Sequence, residues 1–120
     1  MWDGGSHTRI PIAVAIEGAR TLPPDVQVAL YRIAQEALNN SVKYAEAGSI
    51  TITGRLEERC VSIEVRDDGV GFDANAVPAG HFGLGIMRER AAAVGAAVTV
   101  ESAPGRGTTV TTVWRDCASG

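Results

Sequence analysis

Residues 49–69 read SITITGRLEERCVSIEVRDDG, and the architecture of the whole chain turns on how they fold. Ser49 to Leu56 and Cys60 to Val65 both alternate apolar with polar side chains, the period of two that belongs to a strand with one face buried. Only Glu57-Glu58-Arg59 separates them, so they read as an antiparallel hairpin. On the N-terminal side, Val26, Leu30, Ile33, Ala34, Ala37, Leu38, Val42 and Ala45 recur every three or four positions, which predicts a long amphipathic helix over 26–45. Pro24, after Leu22-Pro23, suits the first turn of that helix. Earlier still, Arg9 to Ile16 places Ile10, Ile12, Val14 and Ile16 at period two, predicting a strand with one buried face; Pro11 marks it as an edge or a strand start. On the C-terminal side, Asp67 to Gly85 is glycine-rich and reads as loop. Leu84 to Val94, with Met87, Ala91 and Val94 at helical spacing, predicts a second helix stopped by Gly95. Ala97 to Val100 and Thr108 to Trp114, joined by Pro104-Gly105-Arg106-Gly107, predict a second hairpin. This order cannot make an alternating βαβ sheet. It predicts an α+β two-layer sandwich, a mixed and mostly antiparallel sheet with helices on one face.

With 120 residues, 45% of them hydrophobic, the chain fits one domain whose core needs no metal or disulfide staple. A formal net charge of −3 gives no general field for attracting nucleic-acid phosphates. The longest apolar run, Ile12 to Ile16, is far below the roughly 20 residues that cross a bilayer, and no charged-then-apolar leader precedes it; the expectation is a soluble, cytoplasmic domain without membrane contact. Cys60, Cys117, His7 and His81 show none of the paired spacings of a zinc site. Residues 1–8 read as a tag or linker remnant, 9–116 as the domain, and 117–120 as a tail.

Four segments carry chemistry. On the long helix, Glu36, Asn40 and Lys43 fall within about 60° of one another, beside the apolar stripe. Such a trio is either a solvated face or a metal and phosphate site, in which an amide oxygen suits Mg²⁺ and an ammonium offsets phosphate charge. At the end of a predicted strand, Asp67-Asp68-Gly69-Val70-Gly71-Phe72 offers an acceptor-only carboxylate, able to select an exocyclic amine such as adenine N6; Gly69 and Gly71 would allow positive φ and close approach to a flat ring. The alternatives are a plain strand-ending turn and a relaxed GxGxxA dinucleotide fingerprint, which lacks its following helix. Third, Gly80-His81-Phe82-Gly83-Leu84-Gly85 leads into the second helix and reads as a phosphate seat or a flexible loop. Fourth, Thr108 would bring a hydroxyl near Asp67 if the final strand pairs beside Cys60 to Val65; otherwise it is simply a good strand residue.

In the order EALNNSVKYA, DDGVGFD, GHFGLGIMRER, APGRGTT, these segments resemble the ATP-binding catalytic domain of bacterial two-component sensor histidine kinases. The superfamily also holds type II topoisomerases, heat-shock chaperones and mismatch-repair ATPases. The resemblance covers Ile10 to Trp114. It is closest to the nitrate-sensor-like subgroup, through YRIAQEALNNSVKYA and GLGIMRERAAAVGA, with Tyr44 where that subgroup has His. It implies a fold of the Bergerat type with ATP and Mg²⁺ as cofactors. By the same resemblance Asn40 holds Mg²⁺, Glu36 polarises or orients an attacking histidine, and Lys43 contacts phosphate. Asp67 then binds adenine N6, Gly69 and Gly71 shape the base pocket, Gly83, Leu84 and Gly85 form the phosphate side, and Thr108 assists near adenine through water. The implied partners are a separate histidine-bearing dimerisation domain and, indirectly, a response regulator. Neither His7 nor His81 has the setting of an acceptor, so the chain is expected not to phosphorylate itself. Two other readings share the fold: an anti-sigma-factor-type serine kinase and a non-catalytic nucleotide-sensing module.

Overall fold

A computed structural model describes residues 10–43, 48–73 and 83–115. Seven elements follow one another: β1 (Ile12–Gly18), α1 (Pro24–Lys43), β2 (Ile50–Leu56), β3 (Cys60–Asp67), α2 (Leu84–Ala93), β4 (Ala96–Ser102) and β5 (Thr108–Arg115). The strands form one sheet in the order β1-β2-β3-β5-β4. β1 and β2 are parallel, as a pair joined by a crossover helix must be, and every other neighbouring pair is antiparallel. The expected α+β sandwich with a mixed, mostly antiparallel sheet is thus the observed one. The expected ends of the chain (1–8 and 117–120), Tyr44, Ala45, His7, His81, Gly80 and Cys117 lie outside the described residues.

α1 opens at Pro24, and its first backbone bond runs from the Gln27 amide to the Pro23 carbonyl. Its apolar stripe buries Val26, Ala29, Leu30, Ile33 and Ala37 against the sheet. Ile33, Ala37, Ile50, Val65, Met87, Ala91 and Val110 make one core cluster, and Val26, Leu30, Val61 and Trp114 a second. Along β3 and β5 the residues facing the helices, Val61, Val65 and Asp67, then Val110, Thr112 and Trp114, are buried at period two. α2 contributes Met87 and Ala91, one helical turn apart, and ends at Val94 with Gly95 in the left-handed conformation at φ 77. Among the described residues, no helix is long and apolar enough to cross a membrane.

β1 departs from expectation. The structure starts it at Ile12, after Pro11, and its apolar row is open rather than buried: Ile12, Val14 and Ile16 are 46%, 61% and 55% exposed. The register with β2 puts this row on the same face as Ile50 and Ile52. α1 lies over the middle strands, however, and leaves the edge strand uncovered, since its contacts are with β3 and β5.

Candidate nucleotide-binding site

Asp67 ends β3 on the helix-facing side, only 5% exposed. A buried carboxylate is tolerated where donors satisfy it, and three converge here from three parts of the chain. The Gly69 amide (2.9 Å) and the Thr108 amide (3.2 Å) donate to Oδ1, and the Ser41 hydroxyl (2.7 Å) donates to Oδ2. The β3–β5 register, which opposes Asp67 to Thr108, supplies the second donor. The third comes from α1, on which Ala37, Asn40 and Ser41 sit at i, i+3 and i+4 and face the sheet together.

These residues line one small, partly open cavity of about 40 Å³. Asn40, Ser41, Asp67 and Thr108 supply its polar atoms, while Ala37, Phe72, Leu84, Val100 and Val110 supply apolar walls. Gly71 completes the lining with φ 67, and a Cβ there would collide with the Ala103 carbonyl. Its lack of a side chain lets the loop after β3 lie directly on the β4–β5 turn. That contact is pinned by two hydrogen bonds, from the Gly105 amide to the Val70 carbonyl (2.6 Å) and from the Phe72 amide to Ser102 Oγ (2.8 Å).

Glu36 and Gly83 meet beside the cavity. Gly83 is the N-cap of α2 at φ 65, and a Cβ on it would lie 2.6 Å from Glu36 Oε2. The carboxylate therefore rests against the positive end of the helix, a favourable placement. Gly83 is required by this packing, independently of any phosphate.

Asn40, Asp67, Gly71, Leu84 and Thr108 thus line the cavity as a set. Lys43, the exposed last residue of α1, and Gly85, whose Cβ position is open, are not part of the lining. Two expectations are corrected. Gly69 is not among the positive-φ glycines and enters through its amide. Thr108 reaches Asp67 with its backbone amide, while its hydroxyl pairs with Ser102 Oγ at 2.8 Å.

Sequence reasoning missed Ser41, Ser102 and Asp68. The Asp68 carboxylate accepts from the Gly48 amide (2.8 Å), the Ser49 amide (2.9 Å) and the Ser49 hydroxyl (3.1 Å), tying the entry of β2 to the end of β3. These bonds, the Ser49 amide foremost and the Gly48 amide next, hold its pKa below the ordinary carboxylate value. The repeated Asp of the DDG turn was the available signal; a serine inside a helix or ending a strand gives none.

The chain is 37% identical over 109 residues to an "Uncharacterized sensor-like histidine kinase" of Chloroflexus aurantiacus, covering 82% of this chain and 18% of that protein. It is 39% identical over 95 residues to the "Oxygen sensor histidine kinase NreB" of Staphylococcus carnosus, covering 78% and 27%. With the "Sensor histidine kinase LiaS" of Bacillus subtilis it shares 36% identity over 81 residues, covering 68% and 22%. The chain therefore spans about a quarter or less of these relatives. Among solved structures, the histidine kinase domain of the Erythrobacter litoralis EL346 blue-light activated histidine kinase superposes with a TM-score of 0.74 at 21% identity, covering 89% of this chain and 52% of that one. At that identity the likeness is one of fold. Residues 25–116, which contain all of α1 but Pro24, the Asp67 cluster and the β4–β5 turn, match the family described as "Histidine kinase-, DNA gyrase B-, and HSP90-like ATPase", and the chain belongs to that family.

Proposed function

We propose that this chain is the ATP-binding catalytic part of a sensor histidine kinase. It binds Mg·ATP and presents the γ-phosphoryl group to a histidine on a separate dimerisation domain, from which a response regulator is served in two-component signalling. The observation that carries the reading is that the Asp67 carboxylate and the Asn40 amide open into one cavity. The relatives, which are named as sensor histidine kinases, favour a histidine kinase over a serine kinase of the same family.

Asp67, a buried acceptor in the cavity wall, receives the adenine N6 amine, while Phe72, Leu84 and Val100 offer apolar contact to the ring. The phosphates then run past Asn40 toward the N-terminus of α2, where Gly83, Leu84 and Gly85 present backbone amides, with Lys43 adding positive charge. The donor set suits Mg²⁺: the Asn40 side chain lines the cavity and would give one hard oxygen, and phosphate oxygens of the nucleotide would supply others. Bound there, the ion would neutralise phosphate charge during transfer. Glu36, one turn before Asn40, accepts from one imidazole nitrogen of the incoming histidine. The other nitrogen attacks phosphorus, forming the N–P bond as the P–O bond to ADP breaks with its electron pair.

Calorimetric titration of this chain with ATP, with and without Mg²⁺, tests the binding. Saturable, Mg²⁺-enhanced binding is expected, and its absence overturns the proposal. Glu36→Ala is expected to keep nucleotide binding and lose label transfer to an added histidine-bearing dimerisation domain. Undiminished transfer would remove Glu36 from the chemistry, and no transfer by the wild type would favour a nucleotide-sensing module. Incubated alone with labelled ATP, the chain should stay unlabelled.

A further inference from the structure

We propose that Ser41 sets the purine specificity of this site, acting through Asp67 so that the base pocket accepts a 6-amino purine and rejects a 6-oxo one. The inference rests on the nucleotide-binding reading above. Ser41 is 4% exposed, lines the cavity beside Asn40 and donates its only hydroxyl hydrogen to Asp67 Oδ2 at 2.7 Å. On the other carboxylate oxygen, both acceptor directions are taken by the Gly69 and Thr108 amides. What remains for a ligand is acceptor capacity alone, one lone pair on Asp67 Oδ2 and those on Ser41 Oγ.

An exocyclic amine brings two hydrogens to these two acceptors. A purine carbonyl in the same place brings lone pairs against lone pairs, and the Ser41 hydroxyl could turn to serve it only by leaving Oδ2 without its donor. Unmade bonds of buried polar groups are costly, which makes such a site discriminating. Without the hydroxyl, Asp67 keeps only the two backbone donors on Oδ1, and the second acceptor is lost. Ser41 is therefore a positioning residue for Asp67 as well as a direct acceptor.

The test is binding of ATP and of inosine triphosphate, its 6-oxo counterpart, to wild type, Ser41→Ala and Ser41→Cys, with thermal melts confirming that each is folded. Cysteine keeps nearly the same volume and only a weak donor. Wild type is expected to prefer ATP. Ser41→Ala should narrow the preference by about tenfold, the worth of one hydrogen bond of this kind, and Ser41→Cys by less. Equal weakening of both nucleotides in a folded variant, or an unchanged preference, would overturn the inference and assign Ser41 a structural role. Equal affinity of the wild type for both nucleotides would also overturn it, leaving the ATP-binding proposal intact. A wild type that binds neither would instead defeat that underlying proposal.

Discussion

Asp67 and Asp68 are neighbours with opposite placements, one buried at the cavity and one exposed on the turn. Replacing Asp67 by Asn leaves an amide that can present a donor to the adenine amine. ATP affinity should fall by about 10- to 100-fold, the worth of a hydrogen bond to a charged group, as read by titration. Asp68 has a pKa lowered from its ordinary 3.8 by the Ser49 and Gly48 bonds. A depressed folded pKa adds stability that is fully present above the unfolded value and is lost as pH falls through the folded one. Melting temperature should therefore drop as pH goes below 3.8, and Asp68→Asn should drop less over the same window. Asp67 was legible because an acidic residue ending an alternating strand must lie at a sheet rim. Ser41 was not, because helical spacing places it on the core-facing side without revealing that a carboxylate from a distant strand waits opposite. The Thr108 contact was hidden for the same reason: the pattern left open which strand β5 would join, and even with β5 beside β3 it does not say which atom of a residue makes the contact.

At the level of the element, two glycines at the start of α2, its N-cap Gly83 and Gly85 in its first turn, separate crowding from conformation. Gly83 lies in the left-handed region with Glu36 packed against it, and Gly85 has open space around its Cβ position. Gly83→Ala should destabilise by about 1 kcal/mol or more through backbone strain and should displace Glu36. Gly85→Ala should be neutral or add up to about 1 kcal/mol of helix stability, both measured by denaturant unfolding. β1 shows where periodicity stops being informative. Alternation identifies the face a strand turns inward, and that face is the one read from Ile12, Val14 and Ile16. Whether a helix covers it depends on where α1 crosses the sheet, which no local pattern encodes. Val14→Lys on this open edge should change stability by less than about 0.5 kcal/mol. The two hairpins and both described helices, by contrast, follow directly from periods of two and three to four.

Across the molecule, Arg20 joins three regions. Its guanidinium donates to the Glu58 carbonyl in the β2–β3 turn and lies 5.0 Å from the Trp114 ring centre, while Trp114 Nε1 donates to the Val94 carbonyl after α2. Arg20→Ala should cost about 1–2 kcal/mol, combining one hydrogen bond and one cation–π contact, and unfolding by urea would measure it. The sequence revealed none of this, because its parts are separated by tens of residues.

β5 is the last strand described, yet it lies between β3 and β4 rather than at a margin of the sheet. Its Thr108 amide is also one of the donors that hold Asp67. A ribosome making this protein from the N-terminus therefore releases α1 and β3 before the donor set around Asp67 can be completed. Until β5 slots into the middle of the sheet, Asp67 lacks one of its donors and the cavity lacks the wall that Thr108 and Val110 provide, so the cavity is finished only together with the completed sheet.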